Sequence, residues 1–412
     1  MTTFIDDPEF DGQFVRTLSA ATRGGADLGE ALAVAERIVP GDFASWYRAW
    51  TQTAERVRAE ADRALSSGDA VSARRGYLRA AEYYRQATFF ARTDLDDPLL
   101  HAAYDGHVAA FEAAVPLLGH PTYRMVVEGD HVLARGYLFT PDDTDALRPT
   151  VILPAGYDST AEMGYTFAAV TALDHGMNCL TFEGPGQGGI LYRHKVPLRH
   201  DFEAVLSPVV DWLLTRPGVD PDALVLLGRS FAGYLAPRAA TGEHRIAALV
   251  CDPVQYDFAV TIRRRAGERV WARLMDHDPS LDADLAPMMA DPHERNGFQW
   301  RMAAHGTSSL SDYFRELARF SLVGIADRIG CPTLATSGEG DFADNGQLQT
   351  FADALAAPVT SHTFTKAEGA GGHCEGLGQD RFDQYAYGWL HTVLADPDRR
   401  PARARLSRVP AR

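Results

Sequence analysis

The segment GRSFAG (228–233) follows the apolar run LVLL and precedes a helical pattern. A serine in a tight turn between a buried strand and a helix is the setting of a nucleophile elbow, in which the two backbones nearly touch. Gly228 and Ala232 supply the small neighbours, and Gly233 partly offsets the alanine that stands at the usual second glycine. The pattern predicts that Ser230 is a nucleophile, and an ordinary glycine-rich turn with an incidental serine is the alternative.

A serine hydroxyl is a weak nucleophile until a base takes its proton and a carboxylate orients that base. Downstream, the strand-like run PTLATSG leads to Asp341, and a glycine-rich loop before the last helix carries His373. The order Ser230, Asp341, His373 is one of the known orders of such triads. We favour Asp341 because it lies three residues past Gly338, at a strand end. Three other acids compete for its role: Glu339, Asp344 and Asp252.

Attack on an acyl carbon also needs two donors for the developing oxyanion. We expect one donor to be the backbone N–H of Phe231, directly after the serine, and the second to be the N–H of Tyr157 in the loop PAGYDS. Gly156 would let this backbone approach and contact a substrate, with a plain turn glycine as the alternative.

The glycine-rich turn EGPGQGG (183–189) follows another strand-like run. It lacks the Lys-Ser/Thr of a phosphate-binding P-loop, and its glycine spacing does not match the dinucleotide fingerprint. The turn is therefore expected to shape one wall of the site. For Glu183 we favour a role in bracing its own loop, and a contact with the substrate is the alternative. Cys374 is adjacent to His373 but has no separate base, so we do not favour it as the nucleophile.

After Pro121, apolar runs alternate with helical stretches. This alternation indicates a mostly parallel, doubly wound α/β sheet covered on both faces, which would position the residues named above. TYRMVVEG and HVLARGYLFTP alternate like two strands of a hairpin split at Gly129-Asp130. The other expected strands are TVILPAG, NCLTFEG, ALVLLG, IAALVCD, PTLATSG and VTSHTFT. Helices are expected to begin near Ala161, His200, Phe231, Gln347 and Gln379.

Two regions flank or interrupt this sheet pattern. Residues from about 28 to 118 show helical spacing almost throughout, and residues 256–320 are rich in aromatic residues and Met without a strand pattern. Trp271 and Trp300 of this insertion are candidate contacts for an apolar or aromatic substrate, although such side chains more often form a packed core. We expect a helical lid domain, an α/β core in two parts around a helical cap, and a disordered Arg/Pro-rich tail. The lid domain spans 1–122, the two parts of the core span 123–255 and 321–398, the cap spans 256–320, and the tail spans 399–412.

The composition excludes several classes of protein. The 412 residues carry a net charge of −15, which repels phosphate backbones and anionic lipid, so we expect neither a nucleic-acid nor a membrane partner. No apolar run reaches the roughly 20 residues of a membrane helix. Four scattered cysteines suggest neither a disulfide scaffold nor a zinc site, and the N-terminus has no secretory signal pattern. We therefore expect a cytoplasmic globular protein without metal or cofactor.

The chain resembles the α/β-hydrolase superfamily in its serine elbow, in its helical N-terminal region and in four further segments, PAGYDST, FEGPGQG, GEGD and GAGGHCE. Within it the chain is similar to the group that holds 2,6-dihydroxypseudooxynicotine hydrolase and the fungal polyketide-shortening hydrolases, from about residue 28 to 395. The resemblance implies an α/β-hydrolase fold with Ser230 as nucleophile, Asp341 as acid and His373 as base. Ala155 and Tyr157 depart from the glycine and the aliphatic residue that the group leads us to expect.

Members of this group cleave a carbon–carbon bond beside a ketone, and close relatives are esterases. The resemblance thus implies cleavage of a β-diketone or aryl ketone of polyketide type, and it also suggests a homodimer. A carboxylesterase, lactonase or acyltransferase could use the same parts, and a non-catalytic binding protein on this scaffold is a second alternative. A peptidase of the prolyl-oligopeptidase kind is disfavoured because its β-propeller prefix is replaced by helices.

Overall fold

Eight strands form one sheet within residues 3–129 and 132–395, the part of the chain that the computed structural model describes. Their order across the sheet is β1-β2-β4-β3-β5-β6-β7-β8. The pairs β1–β2 and β2–β4 are antiparallel and all other pairs are parallel. The strands are Thr122–Gly129 (β1), Val132–Phe139 (β2), Arg148–Pro154 (β3), Asn178–Glu183 (β4), Val219–Arg229 (β5), Ile246–Asp252 (β6), Thr333–Gly338 (β7) and Val359–Phe364 (β8).

The mostly parallel sheet predicted from the sequence is confirmed. Every residue of the strands β4, β6 and β7 is buried, which explains why their sequences do not alternate between an apolar and an exposed polar face. In the hairpin, Gly129 of β1 is opposite Val132 of β2, whereas Asp130 lies outside the described residues. The predicted tail, residues 399–412, also lies outside them.

Five helices precede the sheet, and four of them match the helical spacing noted above. The first helix was not expected from the sequence, although Asp7 caps it and Pro8 occupies its first position, both of which are helix-start signals. Its brevity and mixed composition concealed its apolar face. The five helices are Pro8–Ser19 (α1), Leu28–Ala35 (α2), Phe43–Ser66 (α3), Ala70–Thr88 (α4) and Pro98–Ala114 (α5).

The remaining helices cover the sheet and fill the insertion between β6 and β7. Gly188–His194 was read as part of a glycine-rich turn, but it forms a short helix because glycine at its start does not prevent helix formation once the helix is buried. Within the insertion, α10 to α14 are helical. The helices are Val170–Asp174 (α6), Gly188–His194 (α7), Glu203–Leu213 (α8), Ala232–Ala240 (α9), Phe258–Ala266 (α10), Glu268–Met275 (α11), Leu281–Leu285 (α12), Pro292–His305 (α13), Leu310–Leu317 (α14), Leu348–Ala354 (α15) and Gln379–Ala395 (α16).

The N-terminal helices share an apolar core with one face of the sheet rather than forming a separate core. The helices α3 and α4 approach closely at Gly76, where an added Cβ would lie 2.7 Å from the Cβ of Ala61. Trp46 of α3 is fully buried, and its Nε1 donates to the carbonyl of Gln86 at 2.7 Å. None of the helices in the described ranges is long and apolar enough to cross a membrane.

Truncation of this core should destabilise the protein measurably. We expect Trp46→Ala to lower the free energy of unfolding by about 3–5 kcal/mol, because it removes a buried aromatic side chain and leaves a cavity. Leu65→Ala on the same helix is the control, since Leu65 is 43% exposed and should change stability little. Urea denaturation followed by circular dichroism measures both, and equal effects of the two substitutions would contradict the packing described here.

Candidate active site

The predicted nucleophile lies in a strained turn between β5 and α9. Ser230 has φ of 58°, in the left-handed region that a non-glycine residue rarely adopts. Its N–H donates to the carbonyl of Asp252 at 2.7 Å, which fixes the turn to the neighbouring strand β6. An added Cβ at Gly228 would lie 2.1 Å from the carbonyl oxygen of Ala232, so the turn requires glycine there. The structure thus gives Ser230 the geometry of a nucleophile elbow.

Ser230 and two other predicted residues form a hydrogen-bonded chain across the carboxyl ends of β5, β7 and β8. The Oγ of Ser230 lies 2.9 Å from Nε2 of His373, and Nδ1 of His373 lies 2.8 Å from Oδ1 of Asp341. If Nδ1 donates its proton to Asp341, Nε2 is free to accept the proton of Ser230. The ring of Phe342 lies 4.5 Å from the His373 ring and covers it.

Of the four acids considered from the sequence, Asp341 alone contacts His373. Its carboxylate also accepts from the N–H of Ala343 at 2.7 Å and from that of Cys374 at 3.3 Å. Each competing acid has another partner: Glu339 accepts from the N–H of Lys366, Asp344 from that of Gly346, and Asp252 from Arg229 and Thr336.

Cys374 also lies near the histidine, with its Sγ 3.7 Å from Nε2 of His373. Burial raises the pKa of the Cys374 thiol well above its usual range, with the Asp252 carboxylate adding to the shift. A thiol kept protonated is a poor nucleophile. The geometry therefore favours Ser230 over Cys374.

The two predicted oxyanion donors are on adjacent loops. The N–H groups of Phe231 and Tyr157 have no hydrogen-bond partner among the described residues, so both are free to bind a ligand. Their rings contact each other, with centroids 3.9 Å apart. An added Cβ at Gly156 would lie 3.3 Å from the carbonyl oxygen of Arg229, so glycine there lets the loop pack against the serine turn.

Gly156 itself does not line the main cavity, which corrects its assignment as a substrate contact. Its N–H donates to Oγ of Ser159 at 2.6 Å and is not available to a substrate. The side chain of Tyr157 explains the departure from an aliphatic residue, because its hydroxyl bonds to Nε2 of His305 in the cap. This contact joins the oxyanion loop to α13.

A buried arginine directly before the nucleophile links the serine turn to the histidine loop. The guanidinium of Arg229 donates to Asp252 at 2.9 Å, to Glu375 at 2.7 Å, to the carbonyl of Cys374 at 2.9 Å and to Gln379 at 2.7 Å. The rings of Phe167 and Phe382 lie 4.4 and 4.1 Å from it. Sequence reasoning did not identify this role, since nothing in GRSFAG distinguishes a buried arginine from an exposed one.

Glu375, two residues after His373, is held in an unusual protonation state by this cluster. Burial and the neighbouring Asp252 carboxylate raise the pKa of Glu375 to about 10, although Arg229 acts in the opposite direction. Backbone strain accompanies the burial, because Cys374 and Glu375 both have positive φ. At neutral pH the buried side chain is therefore a neutral acid.

Ser230 and His373 line a cavity of about 1220 Å³ that lies between α1 and the cap helices. Trp300 contributes to its wall and packs edge-on against Tyr157, with ring centroids 5.1 Å apart. Trp271 does not line the cavity and packs partly buried against the core, so its assignment as a substrate contact is corrected. Helical periodicity on α11 turns Val270 and Leu274, rather than Trp271, toward the cavity.

Glu183 is also absent from the cavity wall, so the structure corrects the alternative of a substrate contact and agrees with the loop-bracing role that the sequence favoured. Its carboxylate is fully buried and accepts from Arg135 at 2.7 Å, from the hydroxyl of Tyr104 at 3.0 Å and from the N–H of Gly189 at 2.7 Å. Burial raises the pKa of Glu183, and Arg135 partly offsets this. Glu183 braces its own loop against α5 and α7.

Several cavity residues were not identified from the sequence. Many of them come from α1, and others come from the cap helices α10, α13 and α14, which are far from α1 in the chain. Asp158, next to the oxyanion donor, forms an ion pair with Arg16 of α1, and Arg301 of α13 also lines the cavity. The helix-start signal at Asp7-Pro8 could have located α1, but no local signal indicates that it faces the serine.

Comparisons with known proteins agree with this architecture. No family model matches the chain. The chain is 34% identical over 363 residues to hydrolase acrC of Aspergillus aculeatus, covering 83% of this chain and 85% of that protein. It is 32% identical over 348 residues to 20-hydroxy-prefusarin hydrolase FUS2 of Gibberella moniliformis, covering 81% and 82%. The crystal structure of 2,6-dihydroxy-pseudo-oxynicotine hydrolase superposes with a TM-score of 0.72 at 22% identity, covering 92% of this chain and 95% of that chain.

These likenesses extend over both the N-terminal helices and the sheet. The chain therefore belongs to the α/β-hydrolase superfamily, as the sequence motifs predicted, and it is an α/β-hydrolase enzyme. The solved structure, at its low identity, establishes the fold alone.

The raised pKa of Glu375 makes stability depend on pH in a defined direction. In the unfolded chain this carboxyl ionises near its ordinary value, whereas in the fold it stays protonated up to about pH 10. Its contribution to stability is therefore complete at acidic pH and is lost as the pH rises toward 10. We expect Glu375→Gln, which is neutral at every pH, to gain stability relative to the wild type between about pH 6 and pH 9, by at most about 1.4 kcal/mol per pH unit.

Thermal unfolding at several pH values measures this difference. Glu368→Gln is the control, because its hydrogen bond with Arg381 lowers the pKa of Glu368 to about 2 and its carboxylate is ionised throughout this range. A stability difference for Glu375→Gln that is constant with pH would show that Glu375 is ionised in the fold.

Proposed function

We propose that the protein is a serine hydrolase that cleaves the carbon–carbon bond beside a ketone in a small apolar or aromatic substrate. The observation that carries the proposal is the hydrogen-bonded chain from Ser230 through His373 to Asp341, aligned below a large, mainly apolar cavity. The nucleophile, base and acid of the triad are these three residues. The strained turn at Ser230 supports the assignment, since such strain clusters at functional sites.

The first half-reaction uses the geometry directly. The Oγ of Ser230 attacks the ketone carbon while Nε2 of His373 takes the hydroxyl proton, and Asp341 stabilises the imidazolium that forms. The N–H groups of Phe231 and Tyr157 hold the oxyanion of the tetrahedral intermediate. Neither N–H group has a partner among the described residues, and the rings of the two residues are in contact, which supports this role.

Collapse of the intermediate breaks the carbon–carbon bond. The electron pair leaves on carbon, where a second carbonyl group of a β-diketone stabilises it as an enolate, and His373 returns the proton. Water then attacks the acyl group on Ser230 with His373 as base, which releases a carboxylic acid and a ketone. One water is consumed for each bond broken.

The kind of substrate is supported by the relatives and by the cavity. FUS2 is named as the hydrolase of 20-hydroxy-prefusarin, a small organic molecule. The cavity here is lined by aromatic and aliphatic side chains, including Phe258, Phe298, Trp300 and Leu317. The motifs GPGQG and GAGGHCE resemble those of the group that includes carbon–carbon hydrolases, and this resemblance supports a ketone substrate.

Fluorophosphonate labelling tests the triad. We expect a single adduct on the wild type by intact mass and none on Ser230→Ala, because only an activated serine reacts. Asp341→Asn should react on the order of 10³- to 10⁴-fold more slowly, since the amide cannot hold the histidine in the right tautomer. Asp344→Asn is the matched control and should react like the wild type. Equal rates for Asp341→Asn and the wild type would end the assignment of Asp341.

The choice between ketone and ester cleavage is tested with paired substrates. We expect the wild type to hydrolyse aryl β-diketones to a carboxylic acid and a methyl ketone, with activity lost in Ser230→Ala. Aryl esters of the same acyl group are the comparison, and product analysis by mass spectrometry measures both. Hydrolysis of the esters alone would favour the carboxylesterase alternative. Transfer of the acyl group to an added alcohol in preference to water would favour an acyltransferase.

A further inference from the structure

Three guanidinium groups lie near one another beside the oxyanion loop. Arg16 of α1 and Arg301 of α13 line the cavity. Arg92 lies behind the wall, with the rings of Phe89 and Trp300 at 4.1 and 4.2 Å from its guanidinium carbon, and both rings line the cavity. We refer to Arg16, Arg92 and Arg301 as the guanidinium cluster. Burial lowers the pKa of Arg92, Tyr192 and Asp158 act in the opposite direction, and the charges of Arg301 and Arg16 lower it further.

The cluster has fewer carboxylate partners than charges. Asp158 forms an ion pair with Arg16, and it is the one carboxylate that pairs with the cluster within residues 3–129 and 132–395. Burial raises the pKa of Asp158, but Arg16, Arg92 and a further arginine outweigh it and hold the pKa well below its usual range. Asp158 is therefore ionised and already engaged. Arg92 and Arg301 form no ion pair within the described residues, although other carboxylates also line the cavity, namely Asp6, Asp7, Glu9, Asp11 and Glu294.

Arg301 is the member that a ligand can reach. It is half-buried, and its Nη1 donates to the carbonyl of Gly297 on its own helix at 2.8 Å. Glu9 across the cavity lies within electrostatic range, but its carboxylate bonds to His293 at 2.9 Å and forms no ion pair with Arg301 among the described residues. The charge of Arg301 also contributes to lowering the pKa of His305, after burial, to about 3.

The guanidinium carbon of Arg301 lies 4.5 Å from the centroid of the Trp300 ring, and that ring packs edge-on against the ring of Tyr157. Arg301 is therefore linked through Trp300 to the loop that supplies the second oxyanion donor. A planar guanidinium with free N–H groups matches two oxygens of an anion.

We propose that the substrate carries an anionic oxygen group, either a carboxylate or the ionised enol of a 1,3-dicarbonyl, and that Arg301 binds this group with Arg16 beside it. The inference rests on the proposed function, because it requires the anion and the carbonyl that Ser230 attacks to belong to one substrate in this cavity. It names Arg301 as the residue that selects acidic substrates over neutral ones of the same shape.

Binding to Ser230→Ala tests the inference without relying on turnover. We expect octanoate to bind at least about 10-fold more tightly than 1-octanol by isothermal titration calorimetry, because a hydrogen bond to a charged group adds that much. In Ser230→Ala/Arg301→Gln the two affinities should become similar, and Arg301→Lys should retain part of the preference. Arg295→Gln, an exposed arginine on the same helix, is the matched control and should change neither affinity.

A second arm of this experiment separates the two sources of the anion. Dimedone, a cyclic 1,3-diketone that is ionised at about pH 8, reports on an enolate, and octanoate reports on a carboxylate. An Arg301-dependent gain for either compound supports the inference and identifies the group. Two results would overturn the inference. One is equal affinity for octanoate and octanol together with no Arg301-dependent binding of dimedone. The other is a preference for the anion that persists in the Arg301→Gln background, as expected if the oxyanion donors alone held the carboxylate.

Kinetics distinguish failure of this inference from failure of the proposed function. Mono-4-nitrophenyl suberate and 4-nitrophenyl octanoate differ only in a terminal carboxylate. We expect the wild type to favour the acidic ester in kcat/KM by about 10-fold and Arg301→Gln to lose the preference while still hydrolysing the neutral ester. Ser230-dependent hydrolysis of both esters without a preference would overturn the inference and leave the proposed function standing. Absence of hydrolysis of both esters and of the diketones would overturn the proposed function, and the binding result would still decide the role of Arg301.

Discussion

The guanidinium of Arg229 is the charge around which the site is organised. It is almost fully buried between two phenylalanine rings and donates to groups from β6, from the histidine loop and from α16. A buried charge that lost one of these partners would cost several kcal/mol, so the three segments are held together. Ser230 follows Arg229 directly, and His373 lies two residues before Glu375 in the same cluster. The distance between nucleophile and base is therefore set by buried ionic contacts that water does not reach.

The same cluster explains the unusual state of Glu375. One arginine cannot neutralise two buried carboxylates, so the structure keeps one of them protonated. The neutral acid lets the histidine loop come close to the strand end without repulsion from Asp252. This arrangement supports the positive φ values of Cys374 and Glu375, which would otherwise relax and move His373.

Above the triad, the cavity is assembled from two helical layers with different origins. α1 comes from the N-terminal helices and α13 from the insertion between β6 and β7. His293 of α13 joins them, with one ring nitrogen 2.9 Å from Asp7 and the other 2.9 Å from Glu9. Aromatic side chains of the insertion, among them Phe298 and Trp300, line the space between the layers. Charges beside such apolar walls interact more strongly than they would in bulk water.

The sequence by itself determined the elements that depend on local pattern. Strands rich in apolar and β-branched residues between helical stretches were located to within a few residues, from β3 to β8. The small residues of GRSFAG indicated the sharp turn from strand to helix. The tertiary structure alone decided which acid contacts His373, that Glu183 and Trp271 lie outside the cavity, and that α1 lies inside it. These outcomes depend on packing between segments far apart in the chain, and a side chain's type does not reveal which distant group it will contact. Arg229 and Arg301 illustrate the limit, since one guanidinium is fully paired and the other carries no counter-ion among the described residues, and no local feature of the sequence distinguishes them.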